Sequence, residues 1–158
     1  MELPSAVDFS VEDPASHDGA FCLSAYYSEL HERFDGGFDI AGALADDPDG
    51  LRPPAGLFVV ARHDAAPVGC GGLKFDTGVP AYIKRMWISP TARGQGVGRL
   101  LLAHLEDLAR DLGHQTVHLE TNRNLAEAIR MYRMAGYEEI PPFNDEPYAH
   151  HWFRKHLE

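Results

Sequence analysis

The chain of 158 residues has two cysteines, Cys22 and Cys70, too few for a disulfide framework, and nothing in their placement suggests export. It also lacks a surplus of basic residues: 14 Lys and Arg stand against 24 Asp and Glu, a net charge of -10. That balance argues against a nucleic-acid partner, whose phosphates must be met by clustered cations. It favours neutral or cationic substrates instead. Long hydrophobic runs are missing too. The longest, Leu57-Phe58-Val59-Val60-Ala61, is far too short to cross a bilayer, so no membrane partner is expected. Met1-Glu2-Leu3-Pro4 has no basic stretch leading into an apolar one, which leaves a cytoplasmic protein as the expectation. No repeat or low-complexity tract interrupts the chain. With 44% hydrophobic and 24% charged residues, the composition is that of one globular domain over residues 1–158.

The pattern of apolar residues supplies the elements. A short strand is expected near Ala6–Phe9 and a helix over Asp18–Phe34, where Phe21, Ala25, Tyr26 and Leu30 fall at helical spacing and Gly36-Gly37 follows. A second short helix is expected over Phe38–Asp47. Asp47-Pro48-Asp49-Gly50 and Pro53-Pro54 read as turns, with Asp46, Asp47 and Asp49 in a solvated loop. Three strands, Leu57–Arg62, Val68–Phe75 and Tyr82–Ile88, form an antiparallel meander with turns at 63–67 and 76–80. Val97, Leu100, Leu101, Leu105, Leu108 and Leu112 make one face of a long helix over Gln95–Leu112. Strand Thr116–Thr121 alternates, Leu125, Ala128, Ile129 and Tyr132 define another helical face ending near Gly136, and Tyr137–Ile140 and His150–Lys155 close the chain as strands. Tyr148, Trp152 and Phe153 read as core or interface. The order predicts a mixed α/β sheet with at least one parallel pair.

The strongest chemical signal is Arg93-Gly94-Gln95-Gly96-Val97-Gly98-Arg99, which follows a strand and opens a helix. Glycines let backbone N–H groups approach a ligand, and the first N–H groups of a helix are unpaired and lie at the positive end of its dipole. Such a terminus binds anions, and two arginines add formal charge. A Walker loop is excluded because no Gly-Lys-Ser/Thr follows. A dinucleotide fingerprint needs glycine where Arg99 stands, although Glu120 mimics its ribose-binding acid. Adjacent His150 and His151 point to opposite faces of a strand, and no third ligand stands at fixed spacing, so no metal site is expected.

Ile83-Lys84-Arg85-Met86-Trp87-Ile88-Ser89-Pro90 followed by Arg93-Gly94-Gln95-Gly96-Val97-Gly98 resembles the central motif of the GNAT acetyltransferases. Ala128-Ile129-Arg130-Met131-Tyr132 with Ala135-Gly136-Tyr137 resembles their next motif, a tyrosine-bearing helix ending in glycine and an aromatic residue. The stretch Pro142 to Tyr148 resembles the end of small bacterial members. The resemblance covers residues 57 to 158 well and the first fifty loosely. It implies a GNAT fold of α+β type: a mixed, mostly antiparallel sheet with splayed central parallel strands, flanked by helices.

The resemblance further implies an N-acyltransferase that moves an acetyl group from acetyl-CoA, a co-substrate, directly to a primary amine on a small molecule. Met86, Trp87 and Ile88 would bind the pantetheine arm through their backbone, and Arg93, Gly94, Gln95, Gly96, Val97, Gly98 and Arg99 would hold the pyrophosphate. Tyr132 would stand by the CoA sulfur as the acid, or else be a core aromatic. Relatives often carry asparagine where Leu125 stands, which leaves Asn122 or Asn124 as a CoA contact, with Asn124 alternatively capping the helix. They often carry an acid where Tyr82 stands, so the base is sought in Glu120, which is otherwise an exposed strand residue. A non-catalytic acyl-CoA-binding or regulatory module with the same fold is the alternative, and a homodimer is compatible with either. The acids of Phe143-Asn144-Asp145-Glu146-Pro147, together with Tyr26, Tyr27, Glu29 and Glu32, favour a cationic acceptor.

Overall fold

The computed structural model describes residues 7–158. Along the chain run β1 (Val7–Val11), α1 (His17–Arg33), α2 (Ile40–Gly50), β2 (Gly56–His63), β3 (Ala66–Lys74), β4 (Ala81–Ile88), α3 (Val97–Asp111), β5 (Thr116–Thr121), α4 (Ala126–Met134), β6 (Glu138–Ile140) and β7 (His151–His156). The seven strands form one sheet in the order β1-β2-β3-β4-β5-β7-β6. Every pair is antiparallel except β4 with β5. The mixed sheet foreseen in the sequence is present, with β7 inserted between β5 and β6.

Local chemistry explains several boundaries. Ser16 caps α1 by accepting from Gly19 N at 3.1 Å. The buried face of α1 is Cys22, Leu23, Tyr27 and Leu30, whereas Phe21, counted in that face from its spacing, is 53% exposed. The expected first strand begins with Ala6, which lies outside the described residues, and extends on to Val11. The turn expected at Asp47–Gly50 is instead the last part of α2, which runs to Gly50. The five-residue turn expected between β2 and β3 is tighter. Asp64 and Ala65, with φ of 52° and 67°, make a two-residue hairpin turn, and Pro67 lies in the strand.

The sheet separates two cores. On one face Leu101, Leu102, Leu105 and Ala109 of α3 pack with Val59, Leu73, Ile83, Val117, Leu119, Tyr132 and Phe153. On the other, α1 and α2 cover Phe58, Val60, Cys70 and Trp87. Each fully buried leucine contributes about 1.5–3 kcal/mol. Strand alternation assigns residues to faces, with one exception that shapes the site. Against β3, Arg85 and Met86 of β4 oppose the single residue Gly71, and Arg85 has φ +57°. This bulge resets the alternation. Ile83 enters the α3 core while Trp87, an even number of positions on, enters the α1 core. Among the described residues no helix is long and apolar enough to cross a membrane.

Candidate active site

β4 and β5 pair only at Ala81–Val117 and Tyr82–His118. Beyond these two positions the strands part, each still paired on its far side, to β3 and to β7. The facing strand edges therefore offer peptide groups that must be satisfied by something other than each other. A cleft of about 330 Å³ lies at this end of the sheet, walled by the end of β4, the loop into α3, α4 and one side of α1.

Met86, Trp87, Ile88, Arg93, Gly94, Gly96, Val97, Gly98, Arg99 and Tyr132 all line this cleft. At the start of α3, Gly94 and Gly96 adopt φ of 77° and 84°, a left-handed conformation that glycine reaches without penalty. Gly96 is the N-cap, no side chain caps the helix, and its first turn holds no acid. The first bond of the helix runs from Leu100 N to Gly96 O, so the amides before it remain available to an anion. Arg93 is held in place: Nε donates to Ile88 O at 2.9 Å and a terminal nitrogen donates to Glu29 Oε1 at 2.5 Å. Trp87 Nε1 donates to that same oxygen at 3.2 Å. Arg33 joins Glu29 to Glu127 across α1 and α4. Arg99 and Arg130 line the cleft without an ion pair among the described residues. The sequence reading passed over Arg130, although it stands in the quoted motif two residues before Tyr132.

Two of the expected cofactor residues do not line this cleft. Gln95 folds back and its Nε2 donates to Thr91 O at 3.3 Å. Asn124 is not on the cleft wall and does not cap α4, whose N-cap is Leu125 with no side-chain bond. Its Nδ2 donates to Arg33 O at 2.8 Å and to Asp35 Oδ1 at 3.3 Å, bracing the end of α1 against the loop before α4. Asn122, the other asparagine considered, is buried and donates to Tyr148 O at 2.6 Å.

Tyr132 is 6% exposed and its hydroxyl donates toward Met86 Sδ at 3.9 Å. Burial, then the charge of Glu120, pushes its phenol above the usual tyrosine range. Tyr26, Leu30 and Leu125 form a wall shared with a second, smaller cavity of about 70 Å³, which holds Glu120, Glu146, Lys84 and Arg85. In it Glu120 Oε1 accepts from the Tyr82 hydroxyl and from Asn144 Nδ2, the latter at 2.8 Å. Asn144 Nδ2 also donates to the Tyr82 hydroxyl at 3.2 Å, and its Oδ1 accepts from Trp152 Nε1 at 2.9 Å. Asn144 is thus a junction that its place in a quoted loop gave no means of assigning. Tyr27, expected to face an acceptor, is fully buried, and Glu29 belongs to the larger cleft. His150 Nδ1 accepts from Arg123 N at 3.1 Å, while His151 Nδ1 meets Glu139 Oε2 at 2.7 Å.

The sheet thus splays beside a glycine loop, and the buried Tyr132 lines the same cleft. Residues 23–137 match the Acetyltransferase (GNAT) family, and the chain belongs to that family. It is 42% identical over 100 residues to the IAA acetyltransferase of Azospirillum brasilense, a match covering 63% of this chain and 64% of that one. The chain therefore spans less than two thirds of that relative's length. The fold is close to that of a GNAT-family acetyltransferase from Staphylococcus aureus Mu50, with TM-score 0.83, 18% identity and coverage of 97% of this chain and 100% of that one. It is also similar to N-acetylglutamate synthase from Neisseria gonorrhoeae, a structure complexed with coenzyme A and N-acetyl-glutamate. There the TM-score is 0.70 at 19% identity, covering 96% of this chain and 35% of that one.

Proposed function

We propose that residues 1–158 form one catalytic domain that transfers an acetyl group from acetyl-CoA to the primary amine of a small molecule. The observation that carries this reading is the meeting of two cavities at Tyr26, Leu30 and Leu125: one has a glycine-rich anion cradle and Tyr132, the other has Glu120. The cradle suits a pyrophosphate, with the α3 amides, Arg99 and Arg130 as the groups that would hold it. The acetyl transfer named for the family's members supports the same donor.

An alkyl ammonium, with a pKa of ~10.4, must lose a proton before it attacks. Glu120 takes that proton, directly or through a water molecule. Its Oε1 is committed to Asn144 and Tyr82, and Oε2 has no hydrogen-bond donor among the described residues. The amine nitrogen then forms a bond to the thioester carbon, and the C–S bond breaks with its electron pair leaving on sulfur, where the Tyr132 hydroxyl donates a hydrogen bond. The surplus proton on the newly acylated nitrogen passes to the departing thiolate. Tyr82 stands where an acid is common in relatives, but its phenol is bonded to Glu120, so the acid is supplied from β5 instead. A carboxylate and a phenol on two cavities that share a wall support a catalytic reading over a non-catalytic module.

Thiol release from acetyl-CoA in the presence of a panel of amines tests the reading. Turnover is expected, falling by about 10²-fold or more in Glu120→Gln. CoA should raise the melting temperature more than NADH does, adding about 2.7 kcal/mol at 100 times its dissociation constant. CoA binding with no turnover on any amine would favour the binding module.

A further inference from the structure

We infer that the acceptor carries an anionic group, most simply a carboxylate, close to the amine it presents, and that Lys84 holds that group. The inference rests on the acetyl-transfer reading for the role of the smaller cavity. The β4 bulge creates the arrangement. Regular alternation would send Lys84 and Arg85 to opposite faces of the sheet, but both side chains line the same cavity. The acidic residues Glu120, from β5, and Glu146, from the loop before β7, line it as well. The cavity therefore presents both signs of charge, which departs from the cationic acceptor suggested by the acidic loop alone.

Lys84 is half-buried, and among the described residues its ammonium makes no ion pair or hydrogen bond. Its contact is with the ring of Tyr82, whose centroid lies 4.9 Å away. Burial, then the charges of Arg85 and Lys74, hold its pKa below the ordinary lysine value of 10.5. A partly desolvated cation without a direct ion pair is costly, and an anion entering the cavity offsets that cost. Glu120 and Glu146 each lie near enough to oppose that depression, so a ligand between them and Lys84 spans both signs of charge. A zwitterion fits: its amine toward Glu120, its carboxylate toward Lys84. With about 70 Å³ available, the two groups must be close, as on one carbon or on neighbouring carbons. The aromatic wall of Phe34, Phe38 and Tyr148 suits an apolar remainder.

The experiment pairs glycine, alanine, methionine and phenylalanine with their amides, which lack the carboxylate. Calorimetric titration into the CoA-loaded protein gives affinity, and thiol release from acetyl-CoA gives kcat/KM. At least one amino acid is expected to bind about tenfold or more tightly than its amide, with the preference falling to near parity in Lys84→Gln and persisting in Lys84→Arg. The inference is overturned by amides that bind as well as the acids, by an undiminished preference in Lys84→Gln, or by no binding of any acid. Turnover of amides without that preference leaves acetyl transfer standing and removes this inference. A Lys84-dependent preference in binding without turnover removes acetyl transfer, and the inference about an acceptor with it, and leaves only a carboxylate site at Lys84.

Discussion

Burial that raises the pKa of Tyr132 also limits what it can do. Its phenol stays protonated at neutral pH and can always donate a hydrogen bond. Complete transfer to a thiolate, whose ordinary pKa is ~8.5, runs uphill unless the same burial raises the thiolate as well. The role that follows is stabilisation of sulfur as charge develops on it. Tyr132→Phe keeps the ring packed against Tyr137 and Phe153 and removes only the donor. Turnover is expected to fall about 10²-fold with CoA affinity retained, read from kcat and a CoA titration. Wild-type turnover between about pH 6 and 9 would leave Tyr132 a packing residue only.

At the scale of elements, α3 is a core helix and, on the proposed reading, an anion site, and the loop before it must satisfy both duties. Gly94 has φ 77°, and a methyl group placed on it would meet no atom within 4 Å. The cost of Gly94→Ala is thus almost wholly backbone strain, about 1–2 kcal/mol, seen as a lower melting temperature. CoA affinity should fall with it, because relief of that strain re-aims the amides of the cradle. An unchanged melting temperature would mean that the loop already has another conformation of similar energy. The β4 bulge is the second device at this scale. It turns one strand into a wall for both cavities, sending Met86 toward Tyr132 and Arg85 over the ring of Tyr27.

Across the whole molecule, an ion-pair network fastens the first strand and helix to the sheet. Arg62 of β2 joins Glu12, just past β1, to Asp18 of α1, and Ser10 joins in as well. The hydrogen bond from Arg62 is the chief reason why the Glu12 carboxyl lies below its ordinary value of 4.5. The folded state therefore binds this proton less readily than the unfolded chain does. The stability contributed is fully present above about pH 4.5 and is lost as the pH falls through the lower, folded value. Glu12→Gln should be less stable than the parent by about 1.5 kcal/mol at neutral pH, with the difference closing on acidification below that value. Urea unfolding at a series of pH values measures it, and a difference that does not change with pH would remove the linkage.

The sequence by itself determined most elements and the glycine-rich junction ahead of α3, because both rest on local rules. Thr116–Thr121 alternates and is a strand with those bounds, and the run from Arg93 to Arg99 stands at a strand-to-helix junction because glycines and apolar periodicity act over a few residues. Tyr132 and Glu120 stood out through a motif and a strand position, and they line two cavities that share a wall. Only the tertiary structure decided which residues meet across long separations. It placed β7 between β5 and β6, tied Asn144 to Glu120 and Tyr82, and sent Asn124 to the end of α1. It also put Lys84 and Arg85 into one cavity. The physical reason is register. A bulge of one residue changes the face of each side chain that follows, and it is defined only by the pairing of β4 with β3, the preceding strand in the chain.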